Sequence, residues 1–230
     1  MFLARFPEEA KLYELNKART ADFLKYTKEE GDKVQSITVE EANVIKEIND
    51  LGFLTTNSQA GSVKEVVNPE GVVNDKGSPA KLYVDTERAY CEGFLRKELV
   101  DAFIAELKVG GNVEVIVYPR NVPRIGLTAE HYAYDDGTVE NRYFSRAPSY
   151  DKGDVEDVAS DLSDSVYHVS EEGPQMDLEK WVLIMPYDTR WKHHALEKDG
   201  LFVRIKKALE TVLSKKGGRR RRQTRRRRRA

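Results

Sequence analysis

One stretch of the sequence, GFLTTNSQAG from Gly52 to Gly61, carries a dense set of small hydrogen-bonding side chains. The polar members of this set are Thr55, Thr56, Asn57, Ser58 and Gln59. Small polar groups at the end of a buried strand can line a ligand site, and they can also satisfy the backbone of a turn. The chemistry of the residues alone favours the turn.

A second feature that could do chemistry is a run of guanidinium groups near residue 230. It consists of Arg219, Arg220, Arg221, Arg222, Arg225, Arg226, Arg227, Arg228 and Arg229, here called the Arg tract. Clustered guanidiniums neutralise phosphates and release counterions, which gives affinity for nucleic acid without sequence preference. The tract has no aromatic side chain on which a base could stack. It therefore predicts a nucleic acid or an acidic protein surface as partner, with nuclear targeting or docking onto the chain's own body as alternatives.

The formal net charge of −1 averages two oppositely charged parts of the chain. The Arg tract with Lys215 and Lys216 contributes 11 of the 38 basic residues, and no acidic residue follows Glu210. The remaining 27 basic residues face 39 acidic ones, so the rest of the chain carries about −12. We expect an acidic body attached to a concentrated cationic tail.

No residue pattern in the sequence predicts catalysis or metal binding. His193 and His194 are adjacent, so on a helix their side chains diverge by about 100° and cannot form an i, i+4 metal pair. Cys91 has no recognisable His partner and is expected to be a buried small residue. Ser58 lacks the G-x-S-x-G context of a hydrolase nucleophile. We expect a protein that is not an enzyme, with no catalytic or metal-binding residue.

The elements around the polar stretch are predicted from capping and periodicity. Thr38 and Glu41 have the spacing of a capping box at a helix start. Apolar residues then recur on one helical face up to Leu51, and Gly52 is typical of a helix end. The short apolar and β-branched run Phe53–Thr56 predicts a buried strand that leads into the polar residues.

The same reasoning along the chain predicts further helices and strands after this unit, in an order that alternates between the two. Residues 1–37 are expected to form a helical extension, residues 38–214 the domain, and residues 215–230 a disordered basic tail set off by Gly217–Gly218. Residues 62–81 are expected to be a loop or a loose hairpin. Residues 146–178, which are rich in acids, are expected to form a long surface excursion that can contain one short helix.

Composition restricts the class of protein. A hydrophobic content of 40% with 33% charged residues is typical of a globular chain, and no apolar run approaches the ~20 residues of a membrane-spanning helix. The single cysteine excludes an internal disulfide framework. We expect no membrane partner and an intracellular location, either cytoplasmic or nuclear, or packaging in a virion.

Three blocks of the sequence together are similar to a known family. They are GFLTTNSQAG at 52–61, ERAYCEGF at 87–94 with VEVIVY at 113–118, and WVLIMPYD at 181–188 with the helix GLFVRIKKALETVL at 200–213. In this order they resemble the C-terminal regulatory domain of eukaryotic methylenetetrahydrofolate reductase, although Ala60 replaces the proline of the family's first block. The Gly-Gly spacer and Arg tract are similar to tails of proteins from large DNA viruses.

The resemblance implies an α+β fold in one domain, with a mixed β-sheet core flanked by helices. It also implies a domain that does no chemistry and, in the reductase, senses S-adenosylmethionine. The first hypothesis is therefore a non-enzymatic scaffold whose Arg tract binds nucleic acid or another polyanion, as in a viral structural or DNA-associated protein with further protein partners in an assembly. The alternative is a stand-alone regulatory protein that binds S-adenosylmethionine or a similar adenosine-type metabolite. In that case the ligand residues would be Thr55, Thr56, Asn57, Ser58, Gln59 and Tyr90.

Overall fold

The computed structural model describes residues 1–30, 38–120, 125–164 and 176–227. For residues 30, 143–144, 163–164 and 215–227 it describes the backbone alone. The helices are α1 (Ala10–Glu30), α2 (Val39–Asp50), α3 (Lys97–Lys108), α4 (Lys152–Asp164) and α5 (Leu201–Arg227). The strands are β1 (Leu54–Gln59), β2 (Val63–Val67), β3 (Ala80–Glu87), β4 (Tyr90–Arg96), β5 (Val113–Val117), β6 (Gly126–Tyr134), β7 (Val139–Arg146) and β8 (Trp181–Asp188).

The strands form two four-stranded sheets, so the predicted α+β class is confirmed. The first sheet has the order β1-β4-β8-β5 and the second has the order β2-β3-β6-β7. Every strand pair that is described is antiparallel, whereas a mixed sheet was predicted. The continuous apolar run of β8 is typical of a parallel strand, but this strand is antiparallel to both of its neighbours, β4 and β5.

The first sheet lies at the centre of the hydrophobic core. Its inner strands β4 and β8 are buried along almost their whole length, as expected when both faces of a strand are covered. Helix α1 packs on α2, and α5 packs on α2, α3 and β8. Helix α4 contributes Val155, Ala159 and Leu162 to the same core, so the acidic stretch predicted as a surface excursion contains a packed helix.

Helix α2 begins and ends where the sequence predicted. The Glu41 N–H donates to Thr38 Oγ1 at 3.3 Å, and the Thr38 N–H donates to Glu41 Oε2 at 2.5 Å, which completes the capping box. Gly52 follows the helix with φ of 89°, and the ring of Phe2 fills the space that a Cβ at this position would need. The chain can therefore turn tightly from α2 into β1 only with glycine there.

The N-terminal residues are part of the main core. Phe2 and Phe6 are buried in it, and the carboxylate of Glu9 accepts hydrogen bonds from Arg96 and from Trp181 Nε1. The predicted boundary of a separate extension falls at residues 31–37, which lie outside the described residues. Residues 1–30, which precede this boundary, pack together with the domain.

Of the two forms predicted for residues 62–81, a loop or a loose hairpin, the structure shows the hairpin, because β2 pairs with β3 in antiparallel register. The glycines and prolines of this stretch lie between the two strands rather than within them.

Beyond the core, the backbone of α5 continues through Gly217–Gly218 to Arg227, although a separation of helix and tail was predicted at these glycines. The side chains after residue 214 lie outside the description, so the expected disorder of the tail stays a prediction.

Within the described ranges, no helix combines the length and the apolar character needed to cross a membrane.

Candidate functional site

The polar residues predicted as an elbow lie within strand β1. This strand pairs with β4, and the register shifts between Thr55 and Asn57, so that Thr56 is the extra residue of a β-bulge. The first positive φ after the strand, 77°, is that of Gly61. The prediction of a turn at Asn57–Gln59 is therefore wrong: these residues are polar and yet belong to an edge strand, since one side of such a strand can face solvent.

Thr55 belongs to a buried network that fixes β1 to α2. The Asn49 side chain donates to Thr55 Oγ1 at 2.7 Å and accepts from the Thr55 N–H at 3.0 Å. The same Asn49 oxygen accepts from Asn16 Nδ2 on α1 at 2.6 Å. Thr55, one of the predicted ligand residues, thus has its hydroxyl and N–H engaged by the scaffold.

A cavity of about 150 Å³ lies between α1 and β1. Four of the predicted ligand residues line it, namely Thr55, Thr56, Asn57 and Ser58. Arg19 reaches the cavity from α1 and donates from Nη1 to the Thr55 carbonyl at 2.9 Å. Burial lowers the pKa of the Arg19 guanidinium from its usual value, but arginine stays charged in proteins. The cavity therefore offers a cation to a ligand, in a wall of small polar residues.

The size of this cavity limits what it can enclose. Drug-sized and cofactor-sized ligands occupy pockets of about 300–1,000 Å³, twice the volume available here or more. Gln59 and Tyr90, the other two predicted ligand residues, do not line the cavity. They are opposite each other in the pairing of β1 with β4. The structure thus brings four of the six predicted residues together and leaves two apart.

A buried carboxyl group, Glu92, lies directly behind the bulge and was not predicted from the sequence. Glu92 is 4% exposed, and Thr56 Oγ1 donates to its Oε1 at 2.8 Å. Burial raises the pKa of Glu92, while hydrogen bonds from Thr56 and Tyr150 oppose this rise. Within the described ranges no Lys, Arg or His forms an ion pair with it. Nothing in the spacing of ERAYCEGF distinguishes this glutamate from a surface one.

Three tyrosines surround Glu92. The pKa of each tyrosine is raised, mainly by burial and secondly by the charge of Glu92. For Tyr150 the pKa rises to about 12, and the pKa values of Tyr118 and Tyr90 are raised for the same two reasons. The rings of Tyr118 and Tyr150 are 4.9 Å apart, and the Tyr118 hydroxyl donates to the Pro148 carbonyl at 3.0 Å. The cluster links β1, β4 and β5 to the segment before α4.

The neighbouring thiol, Cys91, is fully buried, as predicted. Burial raises its pKa well above the usual range, with a smaller contribution from Glu92. A buried thiol with a raised pKa is a poor nucleophile.

The adjacent histidines bind different carboxylates. His193 lies 3.3 Å from Asp188 and 3.3 Å from Glu197, while His194 Nε2 lies 2.7 Å from Glu41 Oε1. Among the described residues, no group of three or more His, Cys, Asp and Glu side chains is arranged to hold a metal ion.

The side chains of the Arg tract lie outside the described residues, and the tract is therefore not included in the candidate site.

Neither the models of known protein families nor the curated proteins contain a match to this chain. The resemblance to the reductase regulatory domain therefore stays a prediction.

Proposed function

We propose that this chain is a non-enzymatic protein that binds nucleic acid or another polyanion through the Arg tract. The observation that carries this proposal is the concentration of nine arginines between Arg219 and Arg229, with no acidic residue among them. Each guanidinium can pair with a phosphate, and the release of condensed counterions drives the association.

The charge of the rest of the chain supports the same proposal. A balance of about −12 over residues 1–214 and 217–218 repels a polyanion from most of the body. Contact with a polyanion is then restricted to the region around the tract. The acidic body also keeps the chain soluble when the tract is occupied.

Helix α5 connects the tract to the body. Its first half is buried in the core through Leu201, Phe202, Ile205 and Leu209, and Lys206 pairs with Glu47 of α2 at 2.7 Å. The backbone of the same helix continues to Arg227. A polyanion held by the tract would thus be attached to the folded body, as a DNA-associated or viral structural protein requires.

The test is binding of fluorescent duplex and single-stranded DNA by the full chain and by a variant with all nine tract arginines replaced by Gln. We expect the full chain to bind both DNA forms and heparin, and the variant to lose this binding. Unchanged binding by the variant would refute the proposal. Binding of an acidic protein but of neither DNA nor heparin would also contradict it.

A second candidate function is binding of a small metabolite at β1. The observation that favours it is the cavity between α1 and β1, which the half-buried Arg19 and four of the predicted ligand residues line. S-adenosylmethionine is the ligand that the family resemblance suggests, and its carboxylate could pair with Arg19 while the larger part of the molecule lies outside the cavity.

This candidate is tested by thermal denaturation of the full chain with S-adenosylmethionine, S-adenosylhomocysteine and nucleotides. A ligand at 100 times its dissociation constant stabilises a fold by about 2.7 kcal/mol, a readily measured shift. We expect a saturable shift that Arg19→Gln removes, with each variant compared to its own unliganded state. No shift with any of these compounds would exclude the candidate.

A further inference from the structure

A second and larger cavity, of about 300 Å³, lies between the C-terminal end of α3 and the first half of α5. The loop after β8 closes one side of it. Four cationic side chains line this cavity: Arg190, Lys198, Arg204 and Lys207. Two carboxylates, Glu106 and Asp199, also line it. Cations thus outnumber carboxylates here, in contrast to the acidic body as a whole.

Arg204 is held in place by neutral groups. Its guanidinium donates to the carbonyls of Leu107, Val109 and Gly111 at the end of α3. These carbonyls have no partner within the helix, so Arg204 acts as its C-terminal cap. Carbonyls fix the guanidinium without neutralising it, and its positive charge remains available to the cavity.

Arg190 is fixed differently, from the side of the core. Its Nε and Nη2 donate to the two carboxylate oxygens of Asp188 at 2.9 and 2.7 Å, and Nη2 also donates to the Asp199 carbonyl at 3.1 Å. Asp188 is fully buried and offsets the charge of Arg190. The Nη1 group of Arg190 donates to no acceptor among the described residues, so Arg190 can supply a positioned N–H donor there rather than excess charge.

The two lysines lie on exposed positions at the edge of the cavity. Within the described ranges neither Lys198 nor Lys207 forms an ion pair, unlike Lys206 on the same helix, which pairs with Glu47. Three of the four cations, Lys198, Arg204 and Lys207, are thus without a carboxylate partner in the described part of the chain. Unpaired cations that converge on a concave site with fixed guanidiniums match the geometry of phosphate recognition.

We propose that the cavity between α3 and α5 is a phosphate-binding site. Lys198 and Lys207 would supply the charge, and Arg204 and Arg190 would supply positioned donors. Two sources share this chemistry: a phosphodiester of a bound nucleic acid, and a free phosphate or phosphorylated metabolite. The site consists of folded residues and does not depend on the Arg tract, so it goes beyond the function proposed above.

Its position relative to the tract suggests how the two could act together. Lys207 and Arg219 are separated by 12 residues of α5, or about 18 Å along the helix axis. This distance corresponds to about five base pairs of duplex DNA, which rises 3.4 Å per nucleotide of one strand. One polyanion could therefore contact both sites.

The experiment compares three variants of the full chain. The cavity variant carries Lys198→Gln and Lys207→Gln. The matched control carries Lys64→Gln and Lys81→Gln, two exposed lysines of the second sheet that form no ion pair among the described residues. The third variant is the one with all nine tract arginines replaced by Gln. The probes are pyrophosphate, measured by calorimetry, and a 20-base-pair duplex, measured by anisotropy.

We expect the cavity variant to bind at least one probe about tenfold more weakly than the control does, as loss of charged hydrogen bonds predicts. A loss confined to pyrophosphate identifies a free phosphate as the ligand, and a loss of duplex affinity identifies a phosphodiester. Equal binding of both probes by the cavity variant and its control overturns the proposal. If the tract variant still binds pyrophosphate, the phosphate site in the cavity is independent of the Arg tract. This conclusion holds whether or not the Arg tract itself binds DNA.

Discussion

Asn49 connects three elements through one side chain. It bonds to Thr55 on β1, to Asn16 on α1, and to the Ile45 carbonyl within its own helix at 2.8 Å. Since it is 1% exposed, none of these bonds can be replaced by water without rearrangement. The position of β1, and with it the cavity beside it, depends on this amide.

Asn49→Ala would leave the Thr55 N–H and the Asn16 amide without their buried partner. We expect the free energy of unfolding to fall by about 1–3 kcal/mol, the cost of an unsatisfied buried polar group. Urea denaturation measures this loss. The matched control is Asn43→Ala, at an exposed position of the same helix, and it should change stability by about 0.5 kcal/mol or less. Similar effects at the two positions would contradict the proposed role of Asn49.

Glu92 determines a different property, the dependence of stability on pH. Because burial raises its pKa in the folded state, the folded protein binds this proton more tightly than the unfolded chain does. The contribution of Glu92 to stability is therefore greatest below the unfolded pKa of about 4.3. It is lost as the pH rises through the higher pKa of the folded state.

Glu92→Gln removes the charge and keeps an oxygen that can accept from Thr56. We expect the variant to match or exceed the parent in stability at pH 7, by roughly 1 kcal/mol, and to lose this advantage near pH 4. Urea denaturation between pH 4 and pH 8 gives both values. Glu70→Gln, at an exposed turn, serves as control and should keep the parent's pH profile. A parallel pH profile for Glu92→Gln would show that the carboxyl is ionised at little cost.

Among the elements, the N-terminal segment before α1 is tied to the first sheet by an ion pair. Arg96 at the end of β4 pairs with Glu9 and also lies 3.0 Å from Glu98 and 3.3 Å from Glu8. Arg96 and Glu9 are 4% and 9% exposed. A buried pair of this kind adds little net stability, but removal of one partner leaves an uncompensated charge.

Arg96→Met should therefore destabilise the protein by about 3–5 kcal/mol, because the Glu9 carboxylate would stay buried with Trp181 as its remaining described donor. The neighbouring exposed Lys97→Met is the control and should have a small effect. Adding Glu9→Gln to Arg96→Met should restore part of the loss, which a double-mutant cycle measures. If Arg96→Met costs no more than Lys97→Met, the segment is not held by this pair.

Elements with local signals were predictable from the sequence, and those defined by distant contacts were not. The capping box at Thr38 and the glycine at residue 52 determine the bounds of α2, because both act within a few residues. The bulge at Thr56 depends on its pairing with β4, a strand more than 30 residues away. The pairing of β2 with β3 likewise depends on a partner strand, so the sequence left a loop and a hairpin as alternatives for residues 62–81.

The candidate sites follow the same division. Thr55, Thr56, Asn57 and Ser58 could be identified from one short block, and they do line a common cavity. Arg19, Glu92 and the cations of the α3–α5 cavity come from separate parts of the chain. Their roles depend on burial and on neighbours that only the tertiary structure brings together.

On the scale of the whole molecule, the distribution of charge is the main property. The body of the chain is acidic as a whole, whereas α5 carries part of a cationic cavity lining and the adjacent Arg tract. If the chain binds a polyanion as proposed, this arrangement would orient the polyanion toward the Arg tract during association. Salt would weaken this interaction much more than it would weaken the folded core.

The most direct test of the account is the salt dependence of duplex DNA binding by the full chain. With up to nine phosphates neutralised by the tract, the slope of log Kobs against log salt concentration can reach about −8. We predict a steep negative slope for the full chain and a much shallower slope, with weak residual binding, when all nine tract arginines are Gln. Equal slopes for the two proteins would contradict the assignment of polyanion binding to the Arg tract.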